Sequence, residues 1–209
     1  MYKKISVLIP VYNEFHTIES CLERVLKADV GNLEMEVIIS DNNSNDGTKE
    51  LLGKINDQRV KILYRKENNG KGANIKNALK EASGDLILFQ DGDLEYSPND
   101  YLALLEPFFL FNADVVYGSR LTRAKATAII GFPNYIGNIL FTLVANFLYN
   151  KIFTDIATGS KVFKKDIIKN LEITSDGFEI EPEITAKISK NKKIKIFEVP
   201  ITINSRRYD

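Results

Sequence analysis

Short apolar runs rich in β-branched residues alternate with helix-patterned stretches from Ile5 to Gly118. That rhythm leaves few architectures open. Ile5–Val11, Met35–Ser40, Val60–Tyr64, Asp85–Gln90 and Ala113–Gly118 read as strands. Between them, helix spacing runs over about His16–Ala28, Thr48–Ile55, Ala73–Ala82 and Asn99–Phe111. Strands alternating with helices imply βαβ units, and hence an α/β fold with a mostly parallel sheet covered on both faces. Ligands on such sheets bind beyond the carboxyl ends of the strands. Polar residues gather at those positions: Tyr12, Asn13 and Glu14 after the first strand, Asp41 to Asp46 after the second, Asp91 to Glu95 after the fourth.

The segment from Leu86 to Glu95 carries the most chemistry. Leu86, Ile87, Leu88 and Phe89 read as a fully buried strand that runs into Asp91, Asp93 and Glu95. Continued alternation along an extended backbone would put these carboxylates on one side. Like charges so placed repel, and burying them unpaired is costly. A hard divalent cation, Mg²⁺ or Mn²⁺, resolves the conflict, because such ions take oxygen ligands and share them with substrate phosphates. The plainer reading is an exposed turn after a strand, which Asp and Gly favour in any case.

Composition narrows the setting. The 209 residues suit one domain with a substantial core, and 44% hydrophobic with 27% charged residues is ordinary for a soluble globular chain. The 28 basic residues balance 28 acidic ones, so no global charge points to nucleic acid. Cys21 is the single cysteine and rules out a disulfide framework within the sequence, which favours a reducing cytoplasm. Met1-Tyr2-Lys3-Lys4 runs directly into a strand pattern, without the apolar stretch and cleavage site of a signal peptide.

Five short motifs stand in a telling order: Pro10-Val11-Tyr12-Asn13-Glu14, Asp41 to Thr48, Asn69-Gly70-Lys71-Gly72-Ala73, Gln90 to Glu95, and Val116-Tyr117-Gly118-Ser119-Arg120. With Thr154-Asp155, Thr158 to Phe163, Gly177 to Glu183 and Glu198 to Ile201, they cover nearly the whole chain. The sequence resembles the family 2 inverting glycosyltransferases of GT-A fold, in the branch of dolichyl-phosphate mannose synthase and its bacterial polyprenyl-phosphate relatives. The resemblance implies one GT-A catalytic domain over 1–209, with a nucleotide-sugar half over 1–120 and an acceptor-side half over 121–209.

It also implies roles. Pro10, Tyr12, Glu14, Asp41, Asn42, Lys71, Gly72, Gln90 and Asp91 would meet the nucleotide sugar, with Tyr12 against the base and Glu14 on the ribose. The residue-level alternative is that Tyr12 caps the sheet and Glu14 opens a helix electrostatically. The family's second motif usually reads Asp-Asp-x-Ser, its second Asp accepting from the base; here Asn42 brings an acceptor and a donor without the charge. Backbone amides of Gly70 to Gly72 at a helix start, with Lys71, would face the donor phosphates. Asp91, Asp93 and Glu95 would hold the metal bridging the diphosphate, and Arg120 would face the phosphates. A GDP- or UDP-hexose is the implied donor.

The second half leaves the βαβ rhythm. From Phe132 to Phe153 the chain is mostly apolar, with Lys151 its only charge. Asn134, Asn138, Thr142, Asn146 and Asn150 recur every fourth residue and would draw one polar stripe along a helix over about 133–153. Regular Asn argues against a spanning helix. A helix lying in the membrane interface or packed on a partner subunit, a second copy included, fits the pattern. A helix buried against the sheet fits it as well. Related enzymes use amphipathic helices here to reach lipid acceptors, which implies a peripheral position on the inner, cytoplasmic face of a membrane. Mannose synthases grip the lipid phosphate with an Arg, then a Ser four residues on. Asn134 and Asn138 occupy those places, leaving Lys161, Arg206 and Arg207 as replacement cations.

Two acceptors remain open. With a polyprenyl phosphate, the already anionic acceptor needs positioning by Arg120, Lys161 and Arg206 rather than a base. With a sugar or protein hydroxyl, Asp155 would be the candidate base. A nucleotide-sugar binding module without turnover is the reading of a different class.

Overall fold

The computed structural model describes residues 2–122 and 131–204, the side chain of Asn134 excepted. Within them the chain forms β1 (Lys4–Val11), α1 (Ile18–Leu26), β2 (Glu34–Asp41), α2 (Thr48–Leu52), β3 (Val60–Tyr64), α3 (Lys71–Glu81) and β4 (Leu86–Phe89). A short 3₁₀ turn at Pro98–Asp100 leads into α4 (Tyr101–Leu110) and β5 (Val115–Ser119). Then come α5 (Phe132–Tyr149), β6 (Lys161–Lys164), α6 (Lys165–Lys169), α7 (Ile180–Lys190) and β7 (Ile196–Pro200). The expected strand and helix order of the first half is present, with ends shifted by a few residues.

The strands make one seven-stranded sheet in the order β3-β2-β1-β4-β6-β5-β7. β1 lies between β2 and β4, parallel to both, with Val11 opposite Asp41 and Leu8 opposite Phe89. β6 alone runs against its neighbours, pairing antiparallel with β4 and β5. Its residues, Lys161 to Lys164, carried a motif but no strand signal that the βαβ rhythm would have placed there.

Strict alternation along the central strands feeds two cores. Val7, Ile9, Ile39 and Leu88 pack with α1 and α4, through residues such as Cys21, Val25, Leu105 and Phe108. Leu8, Ile38, Ile87 and Phe89 face the other way, onto α3 and α7 through Ile75, Ala78, Ile184 and Ile188. This two-sided burial explains why β1, β2 and β4 read as continuous apolar runs.

The segment 175–177 crosses the start of α3 at contact distance. The Gly72 and Ala73 amides donate to the carbonyls of Gly177 (3.2 Å) and Asp176 (2.9 Å). A Cβ at Gly70, whose φ is +96°, would meet the Asp176 carbonyl at 2.5 Å, and one at Gly72 would meet the Ser175 carbonyl at 2.6 Å. Glycine is therefore required by a neighbouring backbone. Gly137, inside α5, has nothing within 4 Å of its would-be Cβ.

These two positions should separate in denaturant titrations. Gly72→Ala should cost about 1–3 kcal/mol through overpacking against a rigid carbonyl. Gly137→Ala should leave stability unchanged or raise it by up to about 1 kcal/mol from helix propensity. Equal effects at the two sites would show that the crossing segment yields freely.

Candidate active site at the carboxyl rim

A cavity of about 460 Å³ opens at the rim where β1, β2 and β4 end. Pro10, Tyr12, Glu14, Asn42, Lys71, Asp91 and Asp93 line it, so residues far apart in sequence meet as the parallel sheet requires. Asn68, Gly70, Asn74 and Phe178 also belong to the wall. Phe178 was legible only as part of the Gly177 to Glu183 motif; its ring is 78% exposed, an apolar face beside the cavity. Asn74 carried no signal, because its role is tertiary: its amide donates to the Val11 and Ser40 carbonyls at 3.2 and 2.6 Å and ties the ends of β1 and β2 together.

Asp41, Gly72 and Gln90, also expected to meet the donor, do not line this cavity. Asp41 is fully buried and accepts from the Ser44 amide at 3.2 Å. Gln90 is buried, donating to the Asp91 and Tyr96 carbonyls and accepting from Tyr101. Gly72 does not offer its amide to a phosphate, since Gly177 already takes it. Asn42 borders the cavity, yet its amide group donates to Asn68 Oδ1 at 2.6 Å and to the Gly70 carbonyl at 3.2 Å, so it anchors the 68–70 loop.

The carboxylate trio is corrected. β4 ends at Phe89, Gly92 and Asp93 form a turn, and Leu94 takes a left-handed φ of 66°. Extended alternation therefore stops before Asp91, and the Glu95 amide folds back onto Asp93 Oδ1 at 3.1 Å. Asp91 and Asp93 border the cavity; Glu95 does not, and its charge acts on Arg120 instead. Among the described residues no group of three or more His, Cys, Asp or Glu side chains is poised around one point. Two hard carboxylates beside a phosphate-sized space still fit a divalent ion that completes its shell with diphosphate oxygens. The region's negative field is visible at Cys21, whose thiol is pushed up to about 12 by burial and then by the charges of Asp93, Asp91 and Glu14. Asp91 already draws one cation, Lys71, at 2.7 Å.

Arg120 and Asp155 form the second polar centre. The Asp155 side chain is fully buried and receives Arg120 Nε at 2.7 Å, Nη2 at 2.8 Å, the Arg120 amide at 3.1 Å and Asn138 Nδ2 at 2.8 Å. Burial would raise its carboxyl, but the Arg120 hydrogen bonds and charge hold it below the usual range. A buried carboxylate committed in this way orients Arg120 and is not placed to deprotonate an acceptor hydroxyl, which corrects the base reading of Asp155. Glu198 supports the same loop, accepting from the Thr154 and Asp155 amides at 3.0 and 3.3 Å.

Lys161 is corrected as an acceptor cation too. It has no exposed side-chain surface, donates to the Ile156 carbonyl at 3.2 Å and to the Thr158 carbonyl, and pairs with Glu181. Arg206 and Arg207 lie outside the described residues.

Helix α5 carries its polar stripe inward. Asn138 and Thr142 are buried; Asn146 exchanges hydrogen bonds with Phe153, and Thr142 receives the Ile156 amide. The outward face is apolar: Leu140, Phe141, Leu143, Val144 and Leu148 are exposed, and Phe147 is 89% exposed. The helix is thus not buried through its apolar face against the sheet. No helix among the described residues is long and apolar enough to cross a membrane.

The sequence profile for glycosyl transferase family 2 matches residues 6–172, which takes in both polar centres and the rim loops. The chain belongs to glycosyl transferase family 2. A dolichol-phosphate mannosyltransferase of Pyrococcus furiosus is 29% identical over 206 residues, covering 97% of this chain and 57% of that protein. Glycosyltransferase AglJ of Haloferax volcanii is 29% identical, covering 97% and 63%. The chain therefore spans about three fifths of these two relatives. A UDP-N-acetylglucosamine–dolichyl-phosphate N-acetylglucosaminyltransferase of Methanococcus voltae is 26% identical, with 95% of this chain and 85% of that protein covered. Among solved structures, glucosyl-3-phosphoglycerate synthase of Mycobacterium tuberculosis, in complex with Mn²⁺, UDP and phosphoglyceric acid, superposes with a TM-score of 0.74 at 20% identity. It covers 99% of this chain and 72% of its own, and places this family 2 chain in the GT-A fold.

The Asp155 assignment has a measurable consequence. Asp155→Asn should cost about 3 kcal/mol at neutral pH, because Arg120 is left largely buried without its counter-charge. In the parent, the depressed carboxyl contributes stability that is full above the unfolded aspartate value of about 3.9 and is lost as pH falls through the lower native value. Urea titrations should therefore bring parent and variant closer together on acidification below about pH 4. A gap that stays constant from pH 7 to pH 2.5 would contradict the pairing.

Proposed function

We propose that this chain transfers a hexose from a nucleotide diphosphate sugar to a polyprenyl phosphate, with inversion at the anomeric carbon. The observation that carries the reading is the rim cavity, where Tyr12, Glu14, Lys71, Asp91 and Asp93 converge within a glycosyl transferase family 2 domain. Tyr12, 44% exposed, would meet the base, and Glu14, two residues further on and also lining the cavity, would meet the ribose. Asp91 and Asp93 would hold Mg²⁺ or Mn²⁺, which when bound supplies positive charge to the departing diphosphate. Lys71 adds a cation on the same side of the cavity. Arg120, its guanidinium fixed by Asp155, contributes a preorganised charge near the acceptor side without reorganisation cost.

The reacting groups set the chemistry. An acceptor phosphate oxygen attacks C1 from the face opposite the leaving group, forming the new C1–O bond as the bond to the nucleoside diphosphate breaks. The acceptor enters as an anion, so no side chain has to take a proton. That suits a site in which Asp155 is locked to Arg120. The relatives named for dolichol phosphate and dolichyl phosphate support the lipid acceptor, and Arg206 remains the proposed additional contact for its phosphate.

The outward apolar face of α5 supports a peripheral position at the cytoplasmic side of a membrane, where the acceptor headgroup is presented. Burying such a face in an interface needs no change in its inward hydrogen bonds.

Two experiments test the parts separately. Asp91→Asn and Asp93→Asn should each lose Mn²⁺-dependent binding of UDP or GDP, read by calorimetry, while keeping a cooperative melt; parent-like Mn²⁺ dependence in both would refute the metal assignment. Replacing Leu140, Leu143 and Phe147 by Ser should release the protein from lipid vesicles at an unchanged melting temperature. Unfolding of that variant, or undiminished vesicle binding, would count against membrane contact through α5.

A further inference from the structure

The inner wall of the cavity is backed by an alternating ladder of charge drawn from α3, α7, β6 and the turn after β4. Asp91 pairs with Lys71 at 2.7 Å, Lys71 lies 3.4 Å from Glu181 Oε1, and Glu181 Oε2 pairs with Lys161. Burial deepens along the row: side-chain exposure falls from 20% at Asp91 and 15% at Lys71 to 7% at Glu181 and 0% at Lys161. Lys161 is held at the deep end by the Ile156 and Thr158 carbonyls and stands 4.8 Å from the centre of the Tyr117 ring. It claims one oxygen of Glu181.

That leaves Lys71 unevenly shared. Glu181 Oε1 is buried and makes no hydrogen bond, and 3.4 Å is too long for a strong charge-assisted contact. The short partner of Lys71 is Asp91. Lys71 holds Asp91 Oδ1, so a divalent ion that binds through this oxygen must displace the ammonium, and a largely buried ammonium stripped of its partner is costly. Glu181, already neutralised by Lys161, compensates only in part. The anionic oxygens of a diphosphate in the same cavity would give the displaced ammonium a new partner.

We propose that Lys71 is an internal counter-cation that keeps Asp91 closed to divalent metal until a nucleoside diphosphate is present, so that metal binding is conditional on donor binding. Glu181 and Lys161 act as positioning residues: they hold the Lys71 ammonium between Asp91 and the phosphate position. The inference rests on the assignment of Asp91 as a metal ligand made above. Because coupling is reciprocal, the factor by which diphosphate tightens the metal equals the factor by which metal tightens diphosphate.

The test is direct binding, without turnover. Mn²⁺ alone, followed by electron paramagnetic resonance, is titrated into the parent, Lys71→Gln, Lys71→Met and Lys71→Arg, and then again with saturating UDP or GDP. The parent should take Mn²⁺ alone weakly. Lys71→Gln and Lys71→Met should bind Mn²⁺ alone on the order of tenfold more tightly, the scale of one charge-assisted contact. Their enhancement by nucleotide should shrink correspondingly. Lys71→Arg, which keeps the charge, should behave like the parent. Thermal melts confirm that each variant folds, and Met provides the neutral test should Gln fail. If folded neutral variants bind Mn²⁺ alone no more tightly than the parent, the counter-cation is overturned while the metal site stands. If the parent binds no Mn²⁺ even with either nucleotide, the metal assignment falls and the inference with it.

Discussion

The parallel pairing of β1 with β2 on one side and β4 on the other governs everything at the rim. Val11 lies level with Asp41, while β4 stops at Phe89 opposite Leu8. The segment after Phe89 therefore turns within the height of the last residues of β1. Gly92 sits where a Cβ would touch Val11 and Glu14 at ordinary van der Waals distance. A turn that close brings Asp91 and Asp93 over the sheet end without a long loop. Parallel strands point every carboxyl end the same way, so the polar residues that follow them share one cavity.

Irregular backbone imposes the second constraint. The loop from Phe153 to Ile156 runs beside the core, where unpaired amides and carbonyls are costly. Asn146 and Thr142 on α5 and Glu198 on β7 supply partners, and Asn138 donates to the Asp155 carboxylate on the same loop. Satisfying that loop uses the polar stripe of α5 and leaves its apolar side outward. The same bonds fix Asp155, and through it Arg120, so the exposed apolar face and the arginine geometry are two results of one packing solution.

The buried charges follow a related logic. Asp155 with Arg120, and Glu181 with Lys161, are each opposite in charge and hydrogen-bonded, the condition under which low-dielectric burial of ions is tolerated. Replacing such a pair by apolar groups is often neutral, whereas removing one partner is costly. That suits their positions behind Arg120 and behind Lys71.

The sequence by itself determined the layer order and the rim. β-branched runs separated by helix spacing are local signals, and right-handed parallel crossovers leave them little freedom. Tyr12, Glu14, Asp91 and Asp93 were legible because each follows a strand end, and Lys71 because it stands in a glycine-rich turn that opens a helix. Other features depended on contacts between segments distant in the chain. β6 inserts antiparallel between β4 and β5, a pairing no local pattern encodes. Glu95 leaves the carboxylate group because Leu94 takes a left-handed conformation. The α3 amides are claimed by a backbone segment about a hundred residues later. Lys161 and Asp155 look like surface chemistry in the sequence, since a charged residue's type does not reveal its partner. Only the tertiary structure supplies Glu181 and Arg120, and with them the reason both charges can be buried.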